Sequence, residues 1–281
     1  MAVTIITDSG SDLSIPEAAR LGIGLVPVWI LFGEERFRDG IDIDRATFFK
    51  RLQNGEAPKT EPATEEQFRE AFARVVSAGN DGVMISVSSG ISKSYELATN
   101  AAKTFGGRIH VVDSLGASGL ETLLALYAAE LAKSGAPASE IAKRVDPREV
   151  RHTIYFGVPD LTMLGRSGRL PKALVALGSM LNVSLILKMN DQGAVGPAGQ
   201  SFSFDKACEI MVEAVVRAVA HSPNARVAFG HVQAESGAQN LRGMLEAKLG
   251  HPPAQDFVYE TSLTIAANVG PGAVGISAIV P

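Results

Sequence analysis

Residues 84–95 read MISVSSGISKSY, an apolar run that ends in serines at 86, 88, 89, 92 and 94 and then turns into a helical pattern. Three further apolar runs share the first half of the chain: AVTIIT (2–7), GLVPVWIL (24–31) and RIHVVD (108–113). Amphipathic stretches near 64–78, 92–105 and 117–134 separate them. Continuous apolar strands alternating with helices imply a parallel sheet covered on both faces. In such a sheet ligands gather beyond the carboxyl ends of the strands, which is where the 84–95 serines fall.

Working outward, residues 135–151 (GAPASEIAKRVDPREVR) form a polar helix flanked by Pro137 and Pro147, and the domain boundary is placed just after them. The expected domains are 1–151 and 152–281. The second half mixes strands (HTIYFGV, NVSLILK, GAVGP, ARVAFGH, DFVYE, GAVGISAIV) with helices near 159–166, 171–180, 205–221 and 235–248. The short turn in MNDQGAVG makes this second sheet partly antiparallel. The reading is two α/β domains with a binding cleft between them.

Composition narrows the partners. The 281 residues carry a net charge of −4 with no lysine- and arginine-rich run interleaved with aromatics, so nucleic acid is not expected as a partner. Cys208 is the one cysteine, which removes any internal disulfide or thiolate metal cluster and points to a reducing compartment. MAVTIITDSG lacks the layout of a signal peptide, and the apolar segment from Pro171 to Leu187 is interrupted by Lys172, Ser179, Asn182 and Ser184. A cytoplasmic protein with no membrane span is expected.

Three strand-to-helix loops carry hydroxyls: TDSGSDLS (Thr7 to Ser14, including Ser9), SSGISKS and DSLGASG (Asp113 to Gly119). For any single serine, helix capping is the plainer account. Three such loops on one sheet edge point instead to a shared anion site. GPGAVG (Gly270 to Gly275) matches a dinucleotide fingerprint by letters but precedes a terminal strand, leaving no room for the required helix. Neither G-x-x-x-x-G-K-[ST] nor G-x-S-x-G occurs, and the five histidines lack metal-ligand spacing. GRSGRL (Gly165 to Leu170) is either a solvated basic turn or a guanidinium held near an anion.

TDSGSDL at the start, KTEP near 60, SSGISKSY near 90, VVDS near 112, LGRSGRL near 165 and VGPGAVG near the end, in this order and nearly end to end, resemble the DegV family of fatty-acid-binding proteins. The resemblance implies an N-terminal three-layer α/β/α domain with a parallel sheet and a C-terminal two-layer α/β domain with a mixed sheet. It implies a bound long-chain fatty acid such as palmitate, no cofactor or metal, and no catalysis by this chain. A separate ATP-dependent fatty acid kinase would make the acyl phosphate. Carried over, the carboxylate-binding residues fall on Thr60 of PKTEP and Ser92 of SSGISKSY, and an arginine near the kinase-facing mouth falls on Arg169. Asn268 stands where the family pattern has histidine before its GPG, and Lys93-Ser94 replace its glycine and threonine. Lys93 either restores some of the charge lost at Asn268 or points to solvent, the second being the plainer account, and Ser9 is an accessory candidate. Candidate tunnel walls are Gly24 to Phe32, residues 174–187, and Leu263 to Val269. The rival readings are an enzyme of this fold acting on a small phosphorylated or carboxylated metabolite, and a lipid-sensing regulator.

Overall fold

A computed structural model of the chain describes residues 2–171 and 184–281; the helix expected at 171–180 and most of the 174–187 wall lie outside the described residues. Four strands, β1 (Val3–Asp8), β2 (Ile23–Val26), β6 (Asp81–Ser86) and β7 (Ile109–Asp113), form a fully parallel sheet in the order β2-β1-β6-β7. Successive side chains in a strand point to opposite faces, and here both faces are apolar. Ile6 and Met84 pack against α3 (Glu65–Ser77) and α4 (Ser94–Ala102), with Phe68, Phe72 and Ala98. Ile5, Val83 and Ile85 point the other way, against α1 (Ile15–Leu21), α5 (Gly119–Lys133) and α6 (Ala138–Arg144). The N-terminal half is thus a three-layer α/β/α arrangement. Capping boxes, Ser14 with Glu17 and Thr64 with Gln67, start α1 and α3.

The run at 24–31 is not one strand. Pro27 supplies no backbone N–H to a ladder, so β2 stops at Val26 and the chain leaves the parallel sheet. It resumes as β3 (Trp29–Phe32), which pairs antiparallel with β4 (Glu35–Arg38) and β5 (Lys59–Glu61) in a separate small sheet. Between β4 and β5 lies α2 (Arg45–Gln53), whose Phe48 and Phe49 are buried beside Phe32. This small sheet matters for function because β5 carries Thr60, in register with Ile30.

The second large sheet runs β10 (Val195–Ser201), β9 (Ser184–Met189), β8 (Arg151–Gly157), β13 (Val274–Val280), β11 (Arg226–His231), β12 (Gln255–Glu260). All its pairs are antiparallel except β11 with β12. One face carries α8 (Phe204–Val219) and α9 (Glu235–Leu249). The short helices α7 (Thr162–Arg166) and α10 (Leu263–Val269) pack in the core cluster that also holds the small sheet's Ile30 and Phe32. The opposite face meets α5: Ile154, Ala228 and Ile279 share one core with Leu120 and Leu124. Eleven of the fifteen α5 residues are buried, as expected of a helix that is apolar nearly all round.

A second junction lies at the loop after β6. The Ser88 hydroxyl donates to the Gly193 carbonyl in the β9–β10 turn at 2.7 Å. A Cβ on Gly90 would sit 2.4 Å from that carbonyl, so only glycine allows the approach. The core around α5 predicts joint unfolding of the two halves. Leu124→Ala should cost about 2–5 kcal/mol in urea denaturation. Trp29 fluorescence and far-ultraviolet circular dichroism should lose signal in one transition; two separated transitions would show independent halves.

Candidate functional site

A chamber lies beyond the carboxyl ends of β1 and β6, between the start of α5 and the inner face of the second sheet. About 1030 Å³ of space between the surrounding atoms lies in it, part of that open to solvent. Its walls are mainly apolar, with Val28, Ile154, Phe156, Met189, Val195 and Ile265 among them. Of the expected walls, Val28 alone represents 24–32, while α10 contributes Thr264, Ile265, Asn268 and Val269. The remaining side chains around Val28, such as Val26, Ile30 and Phe32, are buried in the core.

One end of the chamber brings together Thr60, Ser92, Asn268 and Arg169. The Asn268 amide nitrogen donates to the Thr264 carbonyl at 2.7 Å and to the Thr60 hydroxyl at 3.3 Å. Because a carbonyl only accepts, the first bond fixes the amide orientation. Thr60 Oγ1 therefore accepts from Asn268 and keeps its own proton for another partner. Ser92 Oγ accepts from the Ser94 N–H at 3.1 Å and shares a second 3.1 Å bond with the Ser94 hydroxyl. When Ser94 donates, the Ser92 proton is likewise free.

Arg169 reaches in from the turn after α7. It donates to the carbonyls of Ser167 at 2.9 Å, Ile91 at 3.4 Å and Thr60 at 3.5 Å. Its guanidinium has no carboxylate partner among the described residues. Desolvation pulls its pKa below the ordinary arginine value, yet arginine stays charged throughout the working range. A half-buried cation with no carboxylate partner among the described residues is held at the same place as the Thr60 proton and, when Ser94 donates, the Ser92 proton.

Two expected residues are not brought to this end. Lys93 is exposed and absent from the chamber wall, because the first turn of α4 directs it outward while Ser92 faces in; it does not replace charge at position 268. Ser9 is buried and already engaged, accepting from the Val28 N–H at 2.9 Å and bonded to Thr264 at 3.2 Å, so it braces the wall. Ser88 and Ser89 shape the turn, Ser89 donating to Asp113 at 2.5 Å. His231, one of the five histidines that lack metal-ligand spacing, lines the chamber. Its Nδ1 accepts from the Ala234 N–H at 3.3 Å, and burial lowers its pKa, so it is a neutral ring that helps start α9.

Residues 2–280 match the family model described as "Uncharacterised protein, DegV family". The chain belongs to the DegV family. A DegV domain-containing protein of Deinococcus radiodurans is 30% identical over 99% of this chain and 98% of its own. A Thermotoga maritima relative named fatty acid-binding protein is 26% identical over 98% and 96%. The solved structure of a DegV family protein from Thermus thermophilus, described by its fatty acid binding, superposes with a TM-score of 0.92 at 28% identity, covering 100% of both chains. Among the described residues no helix is long and apolar enough to cross a membrane, and no group of three His, Cys, Asp or Glu could hold a metal.

Beside the DegV chamber lies an acidic cluster that the sequence reading did not single out. Asp8, on the chamber wall, accepts from the N–H groups of Gly10 at 2.8 Å and Val87 at 3.2 Å. Burial pushes its pKa up from 3.8 to about 6. Asp12 accepts from Ser262 N–H at 2.8 Å and from the Ser118 hydroxyl, and burial pushes it up to about 7. Glu121 takes a bond from Thr7 at 2.8 Å; burial, followed by the charge of Asp8, raises its pKa well above the ordinary value. These carboxyls hold protons in the folded state that the unfolded chain releases. Their stabilisation is complete below about pH 4 and is lost as pH rises through the folded values of about 6 and 7. Urea midpoints should therefore fall between pH 5 and pH 8, and Glu121→Gln should flatten that fall and stabilise the protein at pH 8. A variant less stable than wild type at pH 8 would contradict the neutral assignment of Glu121.

Proposed function

We propose that this chain binds a long-chain fatty acid, with the carboxylate at Thr60, Ser92 and Arg169 and the acyl chain along the chamber. The observation that carries this reading is the Thr60 proton, and the Ser92 proton when Ser94 donates, beside a guanidinium with no carboxylate partner among the described residues, in a mainly apolar chamber. Burying a carboxylate is expensive unless donors meet it, and this end supplies two O–H groups and a cation. Asn268 acts through Thr60: both its donor bonds are internal, so it orients the threonine and adds no charge.

Magnitudes divide the work. Burying about fifteen methylenes at roughly 0.8 kcal/mol each gives an upper bound near 12 kcal/mol. A hydrogen bond to the charged head contributes about 1.5–3 kcal/mol. The tail supplies affinity, and the head residues set which end of the ligand faces the mouth. We further infer that the bound carboxylate is presented to a separate ATP-dependent kinase in the cytoplasm, its oxygen attacking the γ-phosphorus as ADP leaves. Among the described residues no histidine or carboxylate bonds to Thr60 or Ser92 as a base, which supports a carrier over a hydrolase.

Denaturing mass spectrometry of protein purified from bacteria should release a C14 to C18 acid. Palmitate titrations should show Thr60→Ala, Ser92→Ala and Arg169→Ala each weakening affinity by roughly 10- to 150-fold, the worth of one charge-assisted bond. Lys93→Ala should leave affinity unchanged at both low and high salt. Absence of a co-purifying acid together with no binding of added palmitate would refute the reading.

A further inference from the structure

Part-way along the chamber the apolar wall is broken by three hydroxyls. Ser277 sits in the middle of β13, between Ile276 and Ala278, and in register with Ile154 and Ala228, which face α5. It is 2% exposed and lines the chamber, and its hydroxyl, not sealed off from the chamber space, makes no hydrogen bond to any described residue. Facing the chamber without a partner, this hydroxyl offers a donor and an acceptor that an alanine or valine at the same strand position would not. Its neighbours are polar too. A Cβ built on Gly119 would lie 2.7 Å from the Tyr259 hydroxyl and 3.0 Å from Ser277 Oγ, so both converge on that glycine. Ser118, the preceding residue, also lines the chamber and shares a 2.8 Å bond with the Tyr259 hydroxyl. Its backbone, at φ 57° and ψ −136°, occupies a region that non-glycine residues rarely adopt.

The proton accounting shows what this group still lacks. When Asp12 is ionised, Ser118 donates to it and Tyr259 donates to Ser118. The oxygen of Tyr259 then has acceptor capacity to spare, and Ser277 can both donate and accept. An alcohol complements that pair, donating to Tyr259 and accepting from Ser277. A methylene offers neither group anything.

We propose that Ser277, Tyr259 and Ser118 form a second polar subsite in the chamber, which selects acyl chains bearing a hydroxyl group part-way along their length. The subsite rests on the fatty-acid reading above and specifies the ligand class further. Its depth follows from α10. The backbone N–H of Ser262, just before the helix, bonds to Asp12, while Asn268 at its far end bonds to Thr60. Six residues of helix rise about 9 Å, so the subsite meets carbons well removed from the carboxylate.

The test is calorimetric titration of the delipidated full-length protein with stearate and with a series of hydroxystearates differing in hydroxyl position. At least one mid-chain isomer should bind roughly three- to tenfold tighter than stearate, the worth of one net hydrogen bond. Isomers substituted next to either end should show no gain. Ser277→Ala should move the two ligands in opposite directions, weakening the favoured isomer while stearate binds more tightly. Should that variant fold poorly, Tyr259→Phe must also abolish the preference. If stearate binds and no isomer exceeds it, or if the preference survives both substitutions, the subsite is refuted and the hydroxyls hold a buried water only. If stearate and every isomer fail to bind, the fatty-acid reading itself falls and the subsite with it.

Discussion

Helix α5 has almost no solvent face, and the architecture follows from that constraint. A helix whose leucines are buried all round must be enclosed, so the parallel sheet packs on one side and the mixed sheet on the other. Its first turn then points into the space left between them. Ala117 and Ser118 line the chamber there, and the helix direction fixes how deep that space runs relative to the strand ends. The Ser88–Gly193 bond pins the same two halves at another point, close to the loop that carries Ser92.

The chamber's chemistry divides along its length. Most of the wall is apolar and offers no direction to a ligand. The Thr60 and Ser92 hydroxyls and the Arg169 guanidinium converge at one end of it. Near the start of α5, burial and the neighbouring Asp8 charge hold Glu121 protonated, while Asp8, raised only to about 6 and met by two backbone N–H groups, carries the charge of the pair at neutral pH. Asp12 ties three elements together, through Ser118 of the α5 start, Tyr259 by way of that serine, and the Ser262 N–H ahead of α10.

The parallel sheet was legible in the sequence because buried strands are apolar on both faces and leave unbroken runs such as GVMISV and RIHVVD. The antiparallel β9–β10 pair was legible in the shortness of its turn. The small sheet was not, since β4 reads ERFR and β5 is three residues long, too short for a period to appear. Pro27 was the available signal that GLVPVWIL divides. Residue type and order singled out Thr60 and Ser92, which line the chamber, while side-chain direction separates the other candidates. Adjacent residues at the start of a helix face different ways, so Ser92 lines the chamber while Lys93 faces solvent. Asp8 and Asp12 looked like ordinary capping residues, and Asp8 does cap a short 3-10 turn. That their carboxyls also converge near Glu121 depends on contacts more than a hundred residues apart in the chain, which no local pattern encodes.

The central claim is that the chamber holds an acyl chain whose carboxylate ends at Thr60, Ser92 and Arg169. A crystal structure of the protein saturated with palmitate tests it most directly. The account predicts continuous elongated density along the chamber, with carboxylate oxygens within hydrogen-bonding distance of Thr60 Oγ1 and Ser92 Oγ. Density that places the carboxylate at the α5 end, or an empty chamber at saturating palmitate, would contradict it.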